Sequence, residues 1–164
     1  MDKDYLFFWG HTQKDPDVID KSCLSQWYPS PFSDKNFQYA TAEHYMMAQK
    51  AILFEDFHIL RKILDNPNPQ DAKNYGRQVK GFDERIWDKF KCHFVITGNY
   101  NKFFTHKDLM NFLIETGTKH LVEASPWDNV WGIGYRKEDA MKFRGNWGEN
   151  LLGQCLMITR NYLR

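Results

Sequence analysis

The chain has 164 residues, 42% of them hydrophobic and 16% aromatic, enough for one domain with a sizeable core. Its 22 basic and 21 acidic residues leave a net charge of +1, which excludes the broad basic footprint of a long nucleic-acid binder and restricts any such contact to a local one. Cys23, Cys92 and Cys155 show no CxxC or Cys/His ligand spacing and read as reduced packing residues. No stretch approaches the ~18 apolar residues of a membrane helix or carries an export signal, so a soluble cytoplasmic protein is expected.

No repeat, low-complexity tract or linker interrupts the sequence, and a single domain over 1–164 is expected. "YLFFWG" (5–10) predicts a short strand, followed by a polar loop through Asp20. "LSQWYPSPFS" (24–33), with Pro29 and Pro31, suits an irregular edge segment. "KNFQYA" (35–40) reads as a strand leading into Thr41, the N-cap of a helix near 42–53. A second helix is predicted over 55–65, broken by "NPNP" (66–69), and a third over 69–79 with Pro69 in its first turn. The segment 83–104 places Ile86, Phe90, Phe94 and Ile96 or Thr97 on one stripe beside Trp87. Gly98 either weakens its interior or marks its end, so the helix is placed near 83–97.

Further helices are predicted at 106–116, stopped by Gly117, and at 149–162 with Leu152, Leu156 and Ile158 or Thr159 inward. Between them "HLVEA" (120–124) reads as a strand that opens into a Trp- and Gly-rich loop. The fold class is α+β, mostly α: a compact domain of several helices and a few short strands.

Two residues of the helix "TAEHYMMAQKAILF" (41–54) stand out. At about 100° per residue, Glu43 and Lys50 share a stripe two turns apart on a helix apolar nearly all round. One reading is a structural ion pair or two side chains snorkelling to water. The other is a cleft in which burial frees Lys50 as a nucleophile and Glu43 works as acid, base or charge stabiliser. Spacing leaves both open.

The loop "EASPWDNVWGIGY" (123–135) offers Glu123 and Asp128 as carboxylates, Trp127 and Trp131 as flat faces, and Gly132 and Gly134 for close backbone approach. It also reads as a plain tight loop capped by core tryptophans. Lys73 and Arg77 sit one helical turn apart, as a solvated face or as a phosphate clamp. The six histidines have no metal-ligand spacing, and His44, His93 and His106 read as surface or core residues. Six Trp exceed what such a core needs, so an aromatic-lined cleft for a planar ligand is expected.

In order along the chain, "FFWG" (7–10), "YPSPF" with Ser33, "ATAEHYMMAQKAILF" (40–54), "AKNYGRQVKGFDERIW" (72–87), "KFF" (102–104), "LVEASPWDNVWGIG" (121–134) and "WGENLLGQCLMITR" (147–160) resemble the NADAR family over nearly the whole length. Bacterial YbiA-type members of that family are N-glycosidases. The resemblance implies a mainly helical α+β fold and hydrolysis of an N-glycosidic bond to ribose with no metal or redox cofactor. It implies as substrate either phosphorylated ribosylaminopyrimidine intermediates of riboflavin synthesis or ADP-ribose on guanine in nucleic acid. In the second branch a lysine traps the opened ribose as an imine with help from a glutamate, roles that fall on Lys50 and Glu43. Substrate contacts would then come from Arg77, Trp87, Glu123, Asp128, Trp131, Gly132 and Gly134, with no membrane and no obligate protein partner. A non-catalytic module holding ADP-ribose or a related nucleotide is the alternative.

Overall fold

Side-chain caps decide where most of the long helices start. Thr41 Oγ1 accepts from His44 N at 3.3 Å, Asp56 Oδ1 from Ile59 N at 3.1 Å, Asn68 Oδ1 from Gln70 N at 2.8 Å, and Asp83 Oδ1 from Arg85 N at 2.9 Å. The computed structural model describes residues 4–164, so the first three residues of the expected domain lie outside it. Its elements run β1 (Tyr5–Phe8), β2 (Phe32–Ser33), β3 (Gln38–Tyr39), α1 (Ala42–Leu53), α2 (Phe57–Asp65), α3 (Pro69–Arg77), α4 (Glu84–Thr105), α5 (Lys107–Glu115), β4 (His120–Glu123), α6 (Lys137–Ala140) and α7 (Leu151–Leu163). This is an α+β fold dominated by helices, as the apolar periodicity predicted. None of the described helices is long and apolar enough to cross a membrane.

The chain divides into two units, Gln26–His106 and the remainder, 1–25 with 107–164. In the unit 26–106, α1 packs against α2, α3 and α4. Pro69 takes the first turn of α3 as expected, while α2 begins two residues late because Glu55 turns the chain at φ 58° and Asp56 is the cap. The segment holding Pro29 and Pro31 leads into a two-residue strand, Phe32–Ser33, antiparallel to Gln38–Tyr39.

Two expectations for α4 are corrected. It runs unbroken through Gly98 to Thr105. A Cβ on Gly98 would lie 2.6 Å from Cδ1 of Tyr45, so this glycine lets α1 and α4 approach rather than ending a helix. The inward face is also turned from the predicted stripe: Trp87, Val95, Gly98, Asn99, Lys102 and Phe103 are buried, whereas Ile86 is 40% and Phe90 41% exposed. The true face carries two polar residues, which an apolar count passes over. Asn99 is held by bonds from Nδ2 to Gln26 Oε1 (2.7 Å) and Val95 O (2.9 Å).

In the other unit β1 and β4 form a parallel pair, Tyr5 opposite His120 through Phe8 opposite Glu123. Its core gathers Phe7, Val122, Ala124, Ile133 and Ala140, with β4 lying against α7. In α7, Leu152, Leu156 and Thr159 turn inward and Ile158 is exposed.

Candidate active site

Residues 42–48 of α1 are all buried, so the sequence's water-free helix is a buried one. Glu43 in its first turn is 4% exposed, and its backbone N–H donates to Gln26 O at 2.9 Å. Lys50, in the last turn, is half-buried. Its Nζ stands 4.2 Å from the centroid of the Phe82 ring and 5.7 Å from that of Trp87. Burial holds the Lys50 amine below the usual lysine range. The neighbouring positive charge of Arg77 adds to this, and the Glu43 carboxylate pulls the other way. Burial and Arg77 therefore make the neutral, nucleophilic form of this amine more accessible than in an exposed lysine, with Glu43 opposing.

Arg77 reaches this place because α3 lies close on α1. A Cβ on Gly76 would overlap the Met47 side chain, and Gly76 has none. Lys73, one turn earlier, goes elsewhere: its ammonium stands over the Trp27 ring at 5.9 Å. The paired clamp considered from the sequence is thus divided, with Arg77 serving Lys50 and Lys73 serving Trp27. Trp87 lies in the first turn of α4, nearly buried, with its ring 6.0 Å from that of Phe94.

Sequence reasoning missed Phe82, which falls between helices where no periodicity selects it. A signal was present in "KGFDERIW". Gly81 takes φ 71°, Lys80 N donates to Asp56 Oδ2 at 2.9 Å, and the Phe54 ring meets Phe82 edge-on at 5.4 Å. These three features aim the Phe82 face at Lys50.

The remaining candidates belong to the other unit. Asp128 Oδ1 accepts from the backbone N–H groups of Val130 (2.9 Å) and Trp131 (2.8 Å), a tight Asx-type turn. Gly132 has no room for a side chain, since a Cβ would sit 2.9 Å from both Asp128 O and Glu123 O. Gly134 takes φ 75° and donates to Asp128 O at 2.9 Å. Trp131 is half-buried and Trp127 is 82% exposed, so Trp127 is no core cap.

Backbone hydrogen bonds fasten this loop to the start of α7. Glu149 N donates to Asn129 O (2.8 Å), Asn150 N to Gly132 O (3.1 Å), Leu151 N to Val130 O (3.0 Å) and Leu152 N to Trp131 O (3.1 Å). These bonds satisfy donors that a helix N-terminus leaves unpaired. Asn150, left-handed at φ 52°, instead aims its side chain at β4: Oδ1 accepts from Glu123 N and Nδ2 donates to Leu121 O, both at 3.0 Å. Asn150 is a second residue that the sequence reading passed over, though "NxLG" was part of the quoted motif.

The expected site residues therefore fall in two groups. Glu43, Lys50, Arg77 and Trp87 are gathered in the unit 26–106, and Glu123, Asp128, Trp131, Gly132 and Gly134 share one loop in the other. Among the described residues, no three His, Cys, Asp or Glu side chains are grouped to hold a metal ion.

The NADAR domain model matches residues 7–164, which include every one of these positions. The chain belongs to the NADAR family. A protein of Acanthamoeba polyphaga mimivirus named as an N-glycosidase is 42% identical over 163 residues, covering 95% of this chain and 94% of that protein. Another N-glycosidase by name, from Nostoc punctiforme, is 34% identical over 142 residues, covering 87% of this chain and 85% of that one. The fold is similar to that of the NMR structure of the E. coli protein YbiA, which matches with a TM-score of 0.78 and 26% identity over 99% of this chain and 86% of that one.

Proposed function

We propose that this NADAR protein cleaves the C1′–N bond between ribose and a base, with Lys50 as nucleophile and Glu43 supporting positive charge at C1′. The chain is a hydrolase of N-glycosyl bonds, in line with relatives named as N-glycosidases that align over most of its length. The observation that carries the residue roles is the setting of Lys50: half-buried against two aromatic faces, with a second cation beside it and a carboxylate two turns away.

As the C1′–N bond breaks, its electron pair leaves on the base nitrogen, which takes up a proton. The ring oxygen shares the positive charge left at C1′, and the Glu43 carboxylate stabilises it electrostatically. A first water adds to C1′ and sheds a proton, the resulting hemiacetal opens to expose C1′ as an aldehyde carbon, and the neutral Lys50 amine adds to it. Loss of water gives an imine, and a second water hydrolyses that imine, returning the amine and the free sugar. The sum is hydrolysis by one water, with no metal or redox cofactor drawn on.

The substrate is a ribosylated base, either a phosphorylated ribosylaminopyrimidine or ADP-ribosyl guanine. The near-neutral charge favours a small molecule. The planar fork of Arg77 suits a substrate phosphate. In this reading Trp87, Trp127 or Trp131 stacks on the base and Asp128 or Glu123 holds ribose hydroxyls, with Gly132 and Gly134 as further substrate contacts. A cytoplasmic enzyme acting without a protein partner fits this chemistry. The alternative, a module that holds ADP-ribose without turnover, gives no reason for a desolvated amine.

The test is incubation with ADP-ribosylated guanosine and, separately, with phosphorylated ribosylaminopyrimidines, following base release by mass spectrometry. Release from either one supports the proposal. Tight binding of a ligand without release would favour the non-catalytic module.

A further inference from the structure

We propose that the Phe82 ring holds the positive charge of Lys50, first as ammonium and then as the protonated imine, and so sets the pH at which the amine becomes reactive. The second half rests on the imine reading of Lys50 given above.

The geometry singles out Phe82. Its face lies 4.2 Å from Nζ, closer than Trp87 at 5.7 Å, within the range over which a ring quadrupole attracts a cation. The ring is 44% exposed, so it is not committed to the core as Trp87 is at 9%. Its position is fixed from outside the ring face by the Gly81 turn, the Lys80–Asp56 bond and the Phe54 edge. The charged groups that act on Lys50 are Arg77 from α3, which opposes the ammonium, and Glu43 from α1, which favours it.

A π-face suits this role for a chemical reason. The neutral Nζ lone pair forms a bond to C1′ while the carbonyl oxygen takes a proton that Nζ sheds. The resulting hydroxyl then leaves as water with one more proton, from Glu43 or solvent, and the nitrogen lone pair closes the C=N bond. Nζ is left with a positive charge but with one N–H where the ammonium had three. Hydrogen-bond partners of the ammonium lose donors at this step. A ring face loses nothing, because it attracts the charge whatever atoms the nitrogen carries.

Phe82→Leu keeps apolar bulk and removes the π-face, while Phe82→Tyr keeps the face. The first measurement needs no substrate: trace acetylation of Lys50 across a pH series, read on its peptide by mass spectrometry. The midpoint in Phe82→Leu is expected to fall by about half to one unit, a three- to tenfold rise in neutral amine below the midpoint, with Phe82→Tyr close to the parent. An unchanged midpoint in a folded Phe82→Leu protein overturns the proposal. The second measurement is turnover: the acidic limb of the pH profile should move to lower pH. The plateau kcat should drop about five- to thirtyfold with KM within about twofold. A shifted midpoint together with full activity in Lys50→Ala would overturn the imine half and the catalytic reading, while upholding Phe82's hold on the ammonium.

Discussion

His44 sits one position after Glu43 and shows how α1 satisfies a buried polar side chain internally. It is 1% exposed. One ring nitrogen, Nε2, lies 2.7 Å from Asn66 O, which can only accept, so Nε2 carries the proton and Nδ1 accepts from the Thr41 hydroxyl at 2.8 Å. The neutral ring is thus fully used, and burial keeps its pKa below the ordinary 6.5, with the Asn66 bond opposing only in part. As pH falls through that value the unfolded chain takes up a proton that the folded one refuses, so stability declines on the acid side. Urea unfolding at pH 7.5 and 5.5 should show this loss, and His44→Gln should flatten the slope. An equal slope in the variant would mean that His44 is not its source. The sequence reading of His44 left surface and core open, and the structure places it in the core; the Thr41 cap was readable, since a Thr before a helical pattern has one common use.

At the scale of elements, α1 and α4 show what periodicity reads and what it misses. The limits of α1 were legible because Thr41 caps a long regular pattern, and its burial followed from apolar residues on every face. The inward face of α4 was not, because Asn99 and the fully buried Lys102 occupy it and Gly98 resembles a stop signal. Gly98→Ala should therefore destabilise the fold by about 1–3 kcal/mol through overlap with Tyr45, against a helix-propensity gain of about 1 kcal/mol. Chemical denaturation checks the sign: a stabilised Gly98→Ala protein would mean that Tyr45 moves aside without cost. The start of α7 was illegible for another reason. Its partners are the backbone carbonyls of residues 129–132, and side-chain identity does not record them.

For the whole molecule, the fold class came from dominant helical stretches with a few short strands from both halves of the chain, and the family from motifs spread along it. The charge balance gave no sign of a broad polyanion-binding surface. The site was legible in part: the spacing of Glu43 and Lys50 raised the question, and the residues that answer it, Phe82 and the end of α3, are brought to Lys50 only by packing. The most direct test of the account is borohydride trapping during turnover. A stable sugar adduct should form on Lys50. Lys50→Ala should lose the adduct and slow turnover by orders of magnitude while staying folded, and Lys50→Arg should be nearly as inactive, because its guanidinium stays protonated. Full specific activity in a folded Lys50→Ala protein would contradict the account.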